Sequence, residues 1–304
     1  MTLHAVLMVV GLSLMFDGCA VEALSGAAGR SNPRLSVPTG DFLAGDDSGH
    51  LVVLDRRGND VRRIAPAVAA YAAQGIELSA DRRHAFVSLL QGDRLPRLYE
   101  VDLANGHKRQ IARAISPALS PDRTRLAYLS SGRRKHGIVE LVGLVIRDLR
   151  TGLSHSIPFA KAVPLGTPPE LVINWSPDAR AVALVAGPGI RLVDVAIAHD
   201  VDSQRSLPGD TATTPRDTPS LAPVFLDGHT LVVLSNCCVG RQQLVALDLR
   251  SGAKTPFAWL SSPAEQLRRL KTGLLLCVTA ERELILVSKG HTHVIARGIT
   301  AVTD

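Results

Sequence analysis

Aromatic residues are scarce in this chain: two Trp, three Tyr and six Phe make up 4% of 304 residues. A core of ordinary size must therefore be filled by small and branched aliphatics. Aromatic side chains interleaved with basic ones, as in single-strand nucleic-acid grooves, are not found. Cysteine is equally sparse. Four Cys, not spaced as a zinc ribbon or finger, exclude a disulfide-dense miniprotein. The chain has no Gly-x-Ser-x-Gly elbow, no Gly-rich phosphate loop ending in Lys-Ser/Thr and no His-Glu-x-x-His. Charge of one sign does not dominate either: 34 basic residues are scattered among 28 acidic ones, giving +6 and a pI near 9.4. That balance allows attraction to anionic surfaces but does not indicate nucleic acid. What the chain has is aliphatic residues, 46% hydrophobic content and a mean hydropathy of +0.15. It can bury a sizeable core, as one large domain or two ordinary ones.

Ala5 to Phe16 is uncharged, and at 12 residues too short for a bilayer span of about 20. It suits the apolar part of a secretory signal. Asp17-Gly18-Cys19 follows directly and resembles a bacterial lipoprotein processing site, which implies lipidation of Cys19. Asp17, and the lack of Lys or Arg before the apolar run, depart from that pattern. Cleavage after Val21-Glu22-Ala23 is the alternative, giving a secreted protein. Residues 1–24 are thus expected to be an export signal. Residues 25–41, rich in Gly, Ala, Ser and Pro, are expected to be a tether.

From Phe42 onward one unit repeats. Glu77-Leu-Ser-Ala-Asp81, Ala118-Leu-Ser-Pro-Asp122, Asn174-Trp-Ser-Pro-Asp178 and Val224-Phe-Leu-Asp227 each precede an apolar run. A second signature lies downstream, around Asp102, Asp148, Asp194 and Asp248, and an earlier copy sits at Asp55. Runs of four to eight Val, Leu, Ile and Ala between Gly, Pro, Asp and Asn clusters read as strands. Ser-Pro-Asp supplies a turn, and Asp-Leu-x-x-Gly closes a hairpin with Gly at positive φ. Each unit is therefore a four-stranded antiparallel sheet, and a period of about 45 residues is that of a β-propeller blade. The first copy, from Phe42 to Ile64, has three strands, and Ile299 to Asp304 resembles the missing one. The expectation is an all-β, six-bladed propeller over 42–304, its first blade completed by the C-terminal strand. Insertions are expected at Ser131 to Gly137, a loop with a lengthened strand, and at His199 to Pro219, a flexible excursion.

Ser-Pro-Asp before an apolar strand, with Asp-Leu-x-x-Gly after it, resembles the TolB-type propeller repeats of bacterial envelope proteins. The resemblance implies an extracytoplasmic propeller. TolB proteins carry a further N-terminal domain, for which residues 25–39 are too short.

Few residues suggest chemistry. Asp81, Asp122, Asp178 and Asp227 recur in equivalent turns, as do Asp102, Asp148, Asp194 and Asp248, so each is expected to serve its own blade rather than a metal ring. His291 and His293 share one side of a strand, a spacing metal ligands use, but no third ligand is identifiable, and an exposed turn is the alternative. Cys237 or Cys238 could bridge to Cys277 between the fifth and sixth blades; a vicinal disulfide and a buried reduced Cys277 are the other readings. Arg133, Arg134 and Lys135 form a basic loop suited to an anionic surface, or a solvated face. Neither a catalytic set nor a cofactor or metal site emerges. The function expected is a monomeric, non-catalytic binding or scaffolding module. It would be lipid-anchored at the envelope and hold an envelope protein or polymer on one face. The alternative is a channel enzyme, a lactonase-like hydrolase or lyase using a divalent ion.

Overall fold

The computed structural model describes residues 36–46, 50–64, 75–89, 95–135, 138–164, 173–186, 189–195, 204–206, 223–238, 241–270 and 272–303. They all belong to one unit, Arg34–Asp304. Cys19, the expected signal and most of the expected tether lie outside the described residues.

Six four-stranded antiparallel sheets follow one another along the chain. The first contains β1 (Phe42–Asp46), β2 (Leu51–Leu54) and β3 (Asp60–Ile64). The second is β4 (Ile76–Leu78), β5 (His84–Leu89), β6 (Arg97–Asp102) and β7 (Lys108–Ala112). The third is β8 (Ala114–Leu119), β9 (Arg125–Lys135), β10 (Ile138–Asp148) and β11 (Ser154–Pro164). The fourth is β12 (Ile173–Trp175), β13 (Ala181–Ala186), β14 (Gly189–Asp194) and β15 (Gln204–Ser206). The fifth is β16 (Val224–Phe225), β17 (Thr230–Cys238), β18 (Arg241–Asp248) and β19 (Lys254–Leu260). The sixth is β20 (Ala264–Arg269), β21 (Leu275–Thr279), β22 (Glu283–Ser288) and β23 (His291–Arg297). The last strand, β24 (Ile299–Thr303), pairs antiparallel with β1 and completes the first sheet in the order β24-β1-β2-β3. The expected closure is what forms.

The buried apolar residues explain why these sheets become blades. Among the described residues they fall into six clusters, one between each pair of successive blades. Along β5, Ala85 and Val87 face the first blade and Phe86 faces the third. Along β21, Leu275 and Cys277 face the fifth blade, while Leu276 and Val278 face the first. Side chains alternate across a strand, so a run that is apolar at every position requires a neighbour on both faces. This is the origin of the uninterrupted aliphatic runs in the sequence.

The seam between the sixth and first blades has its own polar fastening. Gln266, 5% exposed, accepts from Val302 N through Oε1 and donates to Val302 O through Nε2, at 2.9 and 3.3 Å. A single side-chain amide thus holds β24 as a neighbouring strand would.

Three expectations change. Val37 is buried, its amide donates to Arg82 O, and Arg82 donates to the carbonyls of Val37, Pro38 and Asp41. Residues 37–41 therefore belong to the ring rather than to a tether, because they stand where other blades have their first turn. Arg133, Arg134 and Lys135 are strand, not loop: β9 runs through them and Arg134 and Lys135 pair with Val139 and Ile138 of β10. Register shifts in that pairing let the three long strands extend past β8 as an arm. Within the expected excursion, Gln204–Ser206 is the outer strand of the fourth blade.

Deleting residues 298–304 should remove far more than one edge strand. Ile299 and Val302 are 3% and 0% exposed. Their burial is worth about 1.5–3 kcal/mol each, against about 5–15 kcal/mol for a whole domain. The truncated chain is expected to lose its cooperative melting transition or to melt at least about 10 °C lower, and an unchanged melting curve would refute closure by β24.

Candidate functional site

The repeated acids are consumed where they stand. Ser79, Ser120 and Ser176 each donate Oγ–H to the carboxylate two residues on, at Asp81, Asp122 and Asp178. Each serine Oγ also accepts the amide five residues ahead, from His84, Arg125 and Ala181. The same carboxylates accept the amides of Arg83, Thr124 and Arg180. This network holds Arg82, Arg123 and Ala179 at φ of 56°, 56° and 59°, a region that disfavours residues other than Gly. Asp227 accepts the amides of His229 and Thr230. The hairpin acids behave alike: Asp102 takes Ala104 N, Asp148 takes Thr151 N and Oγ1, and Asp248 takes Arg250 N, Ser251 N and Ser251 Oγ. Hydrogen bonds to the charged form lower a carboxyl pKa. The Ser120 and Ser176 hydroxyls hold Asp122 and Asp178 below the ordinary value of 3.8. The amides of His229, Thr151 and Ser251 do the same for Asp227, Asp148 and Asp248. At Asp81 partial burial works the other way, and the net direction is still down.

The turns also tie blade to blade. Arg123 Nη1 donates to Leu78 O and Ser79 O of the blade before it. Arg125 Nη2 reaches Ala179 O of the blade after it, with its guanidinium 4.9 Å from the Trp175 ring. Trp175 Nε1 returns a hydrogen bond to Ala118 O at 2.9 Å.

At this end of the ring the innermost strands β4, β8, β12, β16 and β20 surround a cavity of about 200 Å3. Glu77, Ala118, Asn174, Val224 and Arg268 line it. They occupy one repeat position, the second residue before the turn, so a single column of the repeat faces the channel mouth. Among the described residues only Glu77 and Arg268 are charged in that column, and they pair with each other, Arg268 Nη1 to Glu77 Oε1. Both are nearly buried, with side chains 9% and 12% exposed. Arg268 Nε is buried without a hydrogen bond to any described residue. Arg269 is exposed at the rim, and Arg123 completes the basic lining.

The residues proposed from sequence are not brought to this place. His291 and His293 are exposed on the outer strand β23, and among the described residues no three His, Cys, Asp or Glu side chains gather as metal ligands. Cys277 is a free, fully buried thiol, as in the third reading above, and its burial pushes its pKa up to about 12. The side chains of Cys237 and Cys238 lie outside the described residues. Arg133 is exposed on the arm at the opposite end of the ring. Sequence reading missed Glu77, Arg268 and Arg269. For Glu77 the signal was present in the aligned repeats, whose first residue is the channel column; Arg268 and Arg269 lie in the sixth copy, which lacks the Ser-x-Asp signature.

No family model matches the chain, and no curated protein matches it in sequence. Solved structures share its fold. TolB from Acinetobacter baumannii matches with a TM-score of 0.57 at 14% identity, over 86% of this chain. The present chain spans 65% of that TolB chain. The tricorn protease matches at 0.53 and 11% identity over 84% of this chain and 29% of its own. An oligogalacturonate lyase in complex with manganese matches at 0.51 and 16% identity, over 84% of this chain and 78% of its own. At such identities the likeness establishes a six-bladed propeller fold and nothing narrower.

The lowered Asp values carry a sign. A carboxyl whose folded pKa lies below its unfolded one contributes stability above the unfolded value, and loses it as pH falls through the folded value. The melting temperature should hold to about pH 5 and fall below about pH 4. In an Asp122→Asn, Asp178→Asn, Asp227→Asn triple variant the fall should be shallower. An identical slope in wild type and variant would remove these turns from the acid response.

Proposed function

We propose that the chain is a non-catalytic binding module of the cell envelope, exported, tethered by a lipid on Cys19, and holding its ligand at the channel mouth. The observation that carries this reading is the division of charge. The acids that recur from blade to blade are spent inside their own turns, and the charged groups among the described lining residues are an ion pair and two further arginines. Such a lining can recognise a ligand; Ser120, the one hydroxyl among the described lining residues, is taken up in its own turn by Asp122 and the Arg125 amide. The TolB-like fold supports the reading only as an architecture on which unrelated functions are built. The basic arm bearing Arg133, Arg134 and Lys135 is proposed as a second contact, to an anionic envelope polymer.

A channel enzyme with a divalent ion is the second reading, favoured by the fold shared with the manganese-bound lyase. The donors at the mouth do not suit it. Glu77 is the one carboxylate among the described lining residues, and it is bound to Arg268 with Arg123 and Arg269 nearby.

Expressed from its own N-terminus in a bacterial host, the chain should take up labelled palmitate and sediment with membranes. Cys19→Ala should abolish both, and unchanged labelling would remove the anchor. Purified protein should carry well under one equivalent of divalent metal. Stoichiometric calcium, zinc or manganese, lost together with a hydrolytic or lyase activity on chelation, would overturn the binding-module reading in favour of the enzyme.

A further inference from the structure

A buried ion pair is weak evidence for stability, since desolvating two charges offsets most of their attraction. Glu77 and Arg268 stand on blades two and six and meet beside β24, the strand that seals the first blade. Gln266 and the apolar cluster between the sixth and first blades already hold that strand. The pair therefore calls for another explanation. Its surroundings supply one. Arg268 spends Nη1 on Glu77 and leaves Nε buried and without a hydrogen bond to a described residue. A buried donor of that kind is costly to leave unmet. One residue further along β20, Arg269 lines the same cavity, and its guanidinium makes no hydrogen bond or ion pair with a described residue. Arg123 is committed to Leu78 O and Ser79 O, but its charge faces the cavity too. Three arginines against one glutamate give the described lining a net charge of +2. Arginine is the side chain best shaped for bidentate contact with carboxylate or phosphate, and low-dielectric walls concentrate its field.

We propose that the channel mouth is an oxyanion site for a small dianion, with Glu77 as a resident carboxylate that competes for Arg268. Arg269 and the unused donors of Arg268 receive the incoming group, and the +2 lining matches its charge. The cavity of about 200 Å3 has room for one small acid or one phosphate group. Glu77 sets the affinity: while it holds Arg268, only ligands bearing enough negative charge displace it. Carboxylate and phosphate share this chemistry, and the experiment separates them. The inference rests on the reading of the ring as a binding module, and names the ligand class of that site.

The test is calorimetric titration of the full-length protein with succinate, with inorganic phosphate and with neutral succinamide, at low ionic strength and with a chelator present. Saturable one-to-one binding is expected for succinate, for phosphate or for both, and none for succinamide. The anion that binds identifies the group recognised. Arg269→Gln, at an exposed position, should fold normally and bind at least tenfold more weakly. Glu77→Gln should bind at least fivefold more tightly. Its melting curve checks that it folds, and Glu77→Asp, which retains the charge, should stay within about twofold of wild type. Absence of saturable binding by both anions would overturn the proposal, as would an Arg269→Gln variant that binds like wild type or a folded Glu77→Gln variant that binds more weakly. None of these results bears on palmitate labelling or metal content, so failure here is distinguishable from failure of the envelope-module reading.

Discussion

Apolar side chains on both faces of every blade are the constraint from which the rest of this molecule follows. A sheet with one apolar face can rest on a single partner and leave its other face in water. Here β5, β9, β13, β17 and β21 present apolar residues to the blade before and the blade after. A row of such sheets always has two uncovered ends, and the only arrangement without them is a ring. The cluster joining Leu276, Val278 and Leu284 to Phe42, Ala44, Val52 and Val302 is the last interface of that ring. Placing the chain's final strand inside the first blade lets the closing interface be strand pairing as well as packing.

Closure sets requirements at the ends of the strands. Innermost strands that converge on an axis leave little room, so each must reverse quickly into the next strand. The Ser-x-Asp turn does this by filling its own backbone donors from side chains two to five residues away. The cost of about 1–2 kcal/mol for a positive φ at Arg82, Arg123 and Ala179 is met by those hydrogen bonds. Arginine at that position gains a use, because the left-handed turn directs Arg82 and Arg123 back to carbonyls of the preceding segment. In the fourth blade Ala179 stands there instead, and the neighbouring joint passes to Arg125 and Trp175. Trp175, one of only two tryptophans, shows where the scarce aromatics are spent.

Much of this was legible in the amino-acid order because its causes are local. Strand runs, turn chemistry, the period and the half-blades at the two ends are each written in a few adjacent residues. The role of the repeated Asp residues was legible for a second reason: a residue repeated in equivalent turns meets equivalent surroundings. What escaped depends on distance. Val37 reads as part of a polar, Pro-containing tether until Arg82 is seen to hold it. Arg133 to Lys135 read as a charged loop because the partner strand that extends them is itself long and only partly apolar. Gln204 to Ser206 carry no strand signal of their own and are ordered by the exposed edge of β14. The Glu77–Arg268 pair joins residues 191 positions apart, and no local pattern announces it.

The same reasoning indicates where a specific site can arise in a repeat protein. A feature copied into every blade gives a ring of similar groups, and a ring of similar groups has no preferred orientation for a ligand. Specificity needs a position that geometry points at a shared space and that differs between copies. The column occupied by Glu77, Ala118, Asn174, Val224 and Arg268 meets both conditions. Three of its members are neutral, so among the described lining residues the field is set by the two that are not, together with Arg269 beside one of them and Arg123. Their opposite signs hold them together in front of the first blade, which places the charge off-centre, toward the seam where β24 enters. A ligand arriving along the axis therefore meets one charged side and one side built from Ala118, Asn174 and Val224. It is this asymmetry, rather than the nearly six-fold frame, that can orient what binds.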